Sequence, residues 1–205
     1  MSAAARAINI LKPGVTLYLV RHGETDWNRE ARYQGQRDIA LNETGRAQAL
    51  RNGEILRAAG VEVSTADFVS SPLSRARETM RILRAEMGLE PDTYRIDPAI
   101  KELNYGHWEG QLATDLPERD PAGVAAKAAD PFGWRPDGGE SYADLSLRIA
   151  DWMQTIGRTT VAVTHGGVSR VARGLVLGLD THTVPTLAVP QDQVLVLTAG
   201  AMRWI

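Results

Sequence analysis

The chain has 205 residues, 43% of them hydrophobic, and a formal net charge of −2. That length fits one α/β domain with a substantial core, and the near-neutral charge gives no support to a nucleic-acid partner or a polybasic membrane contact. Cysteine is absent, which excludes disulfides, thiolate metal ligands and a thiol nucleophile and fits a reducing, cytoplasmic setting.

Residues 1–13 interrupt their alanines with Arg6, Asn9 and Lys12, so they lack the apolar stretch of a secretory signal. They are expected to form a loosely held leader ending at Pro13-Gly14. No apolar run approaches the ~20 residues that a membrane-spanning helix needs. Leu17-Tyr18-Leu19-Val20 then reads as a buried strand that stops at Arg21 and His22, with Gly23 next. Residues 25–41 show no period and read as a loop over the edge of that strand. A helix is expected from about Thr44, capped by Asn42 or Thr44, with Ala47, Leu50, Ile55, Leu56 and Ala59 inward and Gly60 as its stop.

Residues 67–72 read as a second short strand ending in small polar residues, and Pro72 suits the first position of a helix that carries Arg75 and buries Met80, Leu83 and Met87. A third strand is expected near residues 94–96. Residues 104–139 hold four prolines and a Gly138-Gly139 pair, and read as a lid or insertion with a helix around 122–129. A regular helix over 141–156 buries Leu145, Ile149, Trp152 and Met153. Residues 159–164 give another strong strand, ending on His165-Gly166-Gly167. A helix over 168–177 and strands near 186–189 and 193–197 complete the order. Alternating strands and helices indicate a three-layer α/β/α sandwich around one mostly parallel sheet.

Two strands therefore end in His-Gly, and a third leads into the helix of Arg75. If these strands are neighbours, Arg21, His22, Arg75 and His165 meet at one sheet edge, where open α/β folds place ligands. Two guanidinium groups and two imidazoles suit a dianionic phosphoryl group, and the helix beginning at Gly166 adds backbone N–H donors. The arginines disfavour protonating His22, which keeps it nucleophilic, while bound phosphate favours a protonated His165. The four histidines show no spacing typical of metal ligands, and no metal or cofactor is expected. His107, close to Glu102, reads either as a substrate contact or as an exposed loop residue, and His182 as structural or solvated.

Arg21-His22-Gly23-Glu24-Thr25, the segment from Ser70 to Thr79, Glu102 with Tyr105-Gly106 and Trp108-Glu109-Gly110, and Thr164-His165-Gly166-Gly167 together resemble the histidine phosphatase superfamily, in its phosphoglycerate mutase-like branch. The resemblance runs in order from about Val15 to Leu177. It implies that His22 is the nucleophile, that Arg21, Arg75 and His165 bind phosphoryl oxygens, and that Glu102 gives and takes the proton. It also places Asn28, Gln34, Gly35, Tyr105 and Gly166 on the substrate or phosphate side.

The resembling mutases carry an arginine after the catalytic glutamate, an Arg-Arg pair in an insertion, and Asn at the second position after the later histidine. Here Leu103 follows Glu102, no Arg-Arg pair exists and Gly167 replaces the Asn. These departures favour a phosphatase acting on a small phosphorylated metabolite over a mutase. A non-catalytic phosphate binder is disfavoured, because Glu102 beside phosphate would only cost affinity. A monomer or homodimer is expected.

Overall fold

The computed structural model describes residues 10–205. Its centre is β1 (Leu17–Arg21), followed by the single-turn α1 (Asp26–Arg29) and by α2 (Glu43–Ala58). Next come β2 (Asp67–Ser70), α3 (Ser74–Glu86) and the two-residue β3 (Arg95–Ile96). The region between the site and the second half holds α4 (Leu116–Arg119) and α5 (Pro121–Ala129). The chain closes with α6 (Tyr142–Thr155), β4 (Thr160–Thr164), α7 (Gly166–Leu177), β5 (Val194–Thr198) and β6 (Ala201–Trp204).

The six strands form one sheet in the order β3-β2-β4-β1-β5-β6. β1, β2, β3 and β4 are mutually parallel, and β5 runs antiparallel to both β1 and β6. Alternation along the strands supplies the two faces. Leu17, Leu19, Val69 and Ala162 pack with Leu145, Ile149, Met153 and Val168 on one side. Val20, Phe68, Val161 and Val163 pack with Leu56, Met80 and Leu83 on the other. The expected three-layer α/β/α arrangement is therefore present, with α6 and α7 on one face and α2 and α3 on the other.

The register brings the chemistry together. Arg21 pairs with Thr164 and Ser70 with Val163, so β1, β4 and β2 end at one level. The ladder continues past the strands, with His22 N–H donating to the Thr164 carbonyl at 2.9 Å and Ser71 N–H to that of Val163 at 3.0 Å.

Several expectations need correction. Ile10 and Leu11 are buried among the residues of the first core, so the end of the proposed leader is part of the interior; residues 1–9 lie outside the described residues. The inward stripe of α2 is Gly45, Ala49, Asn52, Gly53 and Leu56, whereas Leu50 is 45% exposed. Small residues let the helix approach closely: the Cβ position of Gly53 is occupied by the Glu86 side chain and the Leu83 carbonyl of α3. Pro72 does not open α3, which begins at Ser74 because the Asp38 carboxylate accepts from Ser74 N–H at 2.7 Å. Residues 25–41 contain α1, held by a capping box between Thr25 and Asn28.

Residues 186–189 make no strand. Their carbonyls accept from arginine side chains: Leu187 from Arg170 Nε, Ala188 from Arg173 Nη1 and Val189 from Arg21 Nη1, at 2.7, 2.8 and 2.7 Å. The last strand is β6 instead, joined to β5 by a tight turn in which Gly200 takes φ +73°.

Leu11 has no exposed surface. Leu11→Ala is expected to destabilise the protein by about 2–4 kcal/mol, the usual cost of a buried Leu truncation. Urea unfolding would measure it, and a loss below about 1 kcal/mol would show that this segment is not part of the cooperative core.

Candidate active site

His22 leaves β1 with its ring buried. Nδ1 lies 2.8 Å from the Gly23 carbonyl, which can only accept, so Nδ1 carries the proton and Nε2 keeps its lone pair. Arg75 Nε donates to that lone pair at 3.2 Å. Burial, then Arg75, then Arg21 push the His22 pKa well below its usual value, which keeps the ring neutral at neutral pH. Gly23 is needed at the next position because a Cβ there would run into the backbone of Gly45, at the start of α2.

Arg75 is fully buried, and burial pushes its pKa down to about 10, still cationic at neutral pH. Its terminal nitrogens donate to the carbonyls of Arg37 and Gly35 at 2.6 and 2.8 Å. The expected substrate-side turn at Gln34-Gly35 thus has a second task, which is to fix the arginine. Gly35 takes φ +52°, and the Glu109 carboxylate fills the space beside it.

His165 stacks obliquely on His22, with ring centroids 5.1 Å apart. Its Nε2 is 2.7 Å from Ser71 Oγ, and Ser71 Oγ also accepts from Leu73 N–H at 3.4 Å. The Ser71 hydroxyl has no other acceptor among its hydrogen bonds, so its proton is assigned to Nε2 and the His165 N–H to Nδ1. That Nδ1, together with Arg21 Nε, is buried without a partner. Each such orphan costs roughly 1–3 kcal/mol, a cost that a hydrogen bond to a bound anion would remove. Burial first, then the positive charge of Arg75 and Arg21 around the neighbouring His22 ring, hold the His165 pKa well below its usual value.

Glu102 lines the same cavity as His22. Its carboxylate accepts from Leu103 N–H at 2.8 Å and from Gly167 N–H at 3.1 and 3.2 Å. At the start of α7 the Gly167 N–H is thus taken by Glu102, while Gly166 lines the cavity. Gly167 is required for the contact, since a Cβ would sit 2.5 Å from Glu102 Oε1.

Arg21, His22, Arg75, Glu102, Tyr105 and Gly166 line one cavity of about 180 Å³. Asn28, Gln34 and Gly35 line it too. Asn28 uses Oδ1 to accept from Thr25 N–H and Gln191 Nε2, at 3.1 and 3.3 Å, which leaves its amide N–H groups free. His107 pairs with Asp120 at 3.0 Å on an exposed surface away from the cavity, and Trp108 is buried.

Three contributors escaped the sequence reading. Ser71 orients His165. Gln191 donates to the His22 carbonyl at 2.9 Å and receives at its own carbonyl from Asn52 Nδ2, also at 2.9 Å. Arg170 lines the cavity from the second turn of α7. Only Arg170 left a signal: it follows Gly166 by four residues, which on a helix places it on the same face. Among the described residues no group of three or more His, Asp or Glu is arranged to hold a metal ion.

Both histidines titrate near pH 6.5 when unfolded and resist protonation when folded. The unfolded chain therefore binds more protons below that pH, and folding stability falls as pH drops, by about 1.4 kcal/mol per unit for each histidine. The loss levels off below the native pKa values. Replacing His22 by Asn is expected to reduce the slope of stability against pH between about 5 and 6.5 by about 1.4 kcal/mol per unit. Urea titrations across that range would measure it, and an unchanged slope would contradict a neutral buried His22.

The chain matches the sequence model of the histidine phosphatase superfamily (branch 1) over residues 17–205. It is 31% identical to a glucosyl-3-phosphoglycerate phosphatase of Mycolicibacterium vanbaalenii, covering 91% of this chain and 85% of that protein. It is 35% identical to a metal-independent phosphoserine phosphatase of Arabidopsis thaliana, covering 75% and 65%. A solved structure of a mycobacterial glucosyl-3-phosphoglycerate phosphatase in complex with VO3 aligns with a TM-score of 0.76 at 30% identity, over 93% of this chain and 96% of that one. With its two His-Gly strand ends, buried Arg75 and opposed Glu102, the chain belongs to the histidine phosphatase superfamily.

Proposed function

We infer that the protein hydrolyses small phosphomonoesters through a phosphohistidine on His22. The observation that carries this reading is the His22 ring, held neutral by burial and two arginines with its Nε2 lone pair available, lining one cavity with Glu102. In the first step Nε2 bonds to phosphorus, the bond from phosphorus to the ester oxygen breaks, and protonated Glu102 gives its proton to that oxygen. Arg75 Nε–H moves from the imidazole to a phosphoryl oxygen, where Arg21 and His165 Nδ1–H also donate. In the second step the Glu102 carboxylate takes a proton from water, the water oxygen bonds to phosphorus, and the N–P bond breaks. The bound dianion offsets the arginine charges and favours a protonated His165.

Transfer to water is favoured over return to a second substrate by Leu103 and Gly167. Leu103 is buried and offers no charge to a second anion, and Gly167 gives Glu102 its place on α7. We also propose a monomeric or homodimeric state and a cytoplasmic setting. It is supported by the absence of cysteine, and among the described residues no helix is long and apolar enough to cross a membrane.

Turnover of 4-nitrophenyl phosphate in EDTA is expected for the wild type, and His22→Ala should lower it by at least ~10³-fold. Glu102→Gln should lower kcat by about 10²- to 10⁴-fold with alkyl phosphates, the usual weight of general acid–base catalysis. With the nitrophenyl ester, whose leaving group needs no proton, it should give a burst of one nitrophenolate per site followed by slow turnover. Undiminished hydrolysis by His22→Ala would overturn the mechanism. Phosphate binding without any turnover would point to a binder on this fold.

A further inference from the structure

Glu102 sits on a stretch that has no backbone ladder of its own. Residues 101–105 form neither helix nor strand, and a short 3-10 turn at Pro98–Ile100 precedes them. The carbonyls of such a stretch still need partners, and here side chains supply them. Those of Ala99 and Lys101 both accept from Arg148 Nη1, at 2.7 and 2.9 Å. The Ile100 carbonyl accepts from Thr164 Oγ1 at 2.9 Å, and that of Glu102 itself from Gln36 Nε2 at 3.0 Å. Side chains from α6, from β4 and from the turn that holds Arg75 thus fix consecutive carbonyls leading up to the carboxylate.

Arg148 belongs to a pair that reaches the chain on both sides of Glu102. It is carried by α6, whose buried Leu145 and Ile149 seat the helix in the core. Its Nε and Nη2 both donate to Glu140, at 3.2 Å to Oε1 and 3.0 Å to Oε2. Glu140 in turn accepts from Asn104 N–H at Oε2, at 3.0 Å, and its own N–H donates to the Asn104 carbonyl at 2.8 Å. The pair grips the segment at Ala99 and Lys101 before the glutamate and at Asn104 after it.

The pairing also answers a question of charge. An unpaired guanidinium beside the segment of a catalytic acid would oppose protonation of its carboxylate. The two-pronged contact with Glu140 offsets that charge and leaves Arg148 to act through carbonyl oxygens. Among the described residues Glu140 is its one ion-pair partner.

We propose that Arg148, with Glu140, is a positioning residue for proton transfer: the pair fixes the backbone on both sides of Glu102 and so aims its carboxylate at the ester oxygen and then at water. The inference rests on the hydrolase reading given above. Placement matters for such a group, because an error of about 1 Å can cost roughly 10²-fold in rate. The competing account is that the pair only docks α6 against the loop.

The test compares Arg148→Met with wild type on benzyl phosphate and 4-nitrophenyl phosphate. The benzyl alkoxide must be protonated as it leaves, whereas nitrophenolate leaves unaided. Arg148→Met is expected to lower kcat for the benzyl ester by about 10- to 100-fold with little change in KM. The nitrophenolate burst should keep its rate and be followed by slower turnover, since Glu102 must also activate water. In a Glu102→Gln background Arg148→Met should add almost no further loss, because the group it positions is gone. Equal slowing of the benzyl ester and of the nitrophenolate burst would overturn the proposal, as would a full additional loss in the double variant. If Arg148→Met fails to fold, Arg148→Lys and Glu140→Gln are read in the same way, and an unchanged ratio between the two esters in both would overturn it. Such a result with an active wild type removes this inference alone. A wild type that turns over neither ester removes the hydrolase reading beneath it.

Discussion

Arg75 has no exposed surface and no ion-pair partner among the described residues, and it places one N–H on the nitrogen of His22 that must attack phosphorus. Enclosing such a charge is expensive unless its nitrogens find acceptors, and here each of the three does. Much of the local architecture follows from meeting that requirement. The turn at residues 34–37 bends back so that two of its carbonyls reach the guanidinium. Asp38 at the end of that turn starts α3, the helix that carries Arg75. The third donor has the imidazole as its acceptor, which is possible only while His22 is neutral. The arginine thereby enforces the protonation state that the chemistry needs, and the nucleophile in turn helps to make the buried charge tolerable.

The molecule handles charge in two ways. On the surface, arginines pair with carboxylates: Arg81 with Asp92, Arg46 with Glu78 and Arg135 with Asp144. Such exposed pairs contribute little, typically below about 1 kcal/mol. At the site, arginines are held by backbone carbonyls. A carbonyl orients a guanidinium without neutralising it, so the full charge remains for the substrate. A carboxylate in the same place would have held the side chain equally well and cancelled the attraction to phosphate.

Much of this site was legible in the sequence because it is built on strand ends. A short apolar run that stops at a polar residue marks the edge of a sheet, and two runs stopping at His-Gly mark it twice. The placement of His22, His165 and Arg75 follows once the strands are parallel neighbours. The misreadings have a common cause, which is a tertiary contact that overrides a local pattern. The inward face of α2 uses Gly45 against the Gly23–Glu24 backbone, Asn52 against the Gln191 carbonyl and Gly53 against α3, while the larger apolar Leu50 points outward. Residues 186–189 look like a strand because they are apolar, yet their carbonyls are taken by side chains from β1 and α7. Ile10 and Leu11 sit in an unpromising, polar-interrupted segment, and only the assembled core shows why they matter. Arg170 and Gln191 act across more than a hundred residues of chain from Arg21 or His22, a relation that no local pattern carries.

The loop at residues 187–189 has a consequence of a different kind. All three of its contacts with Arg170, Arg173 and Arg21 are made through main-chain oxygens. Leu187 and Ala188 can therefore exchange side chains freely without disturbing the arginines they hold. A change in the number of residues cannot be absorbed in the same way, because one insertion or deletion shifts every carbonyl relative to its guanidinium. This segment is tolerant of spelling and intolerant of length, and comparison of related chains should find its residues varied and its spacing to Gln191 constant.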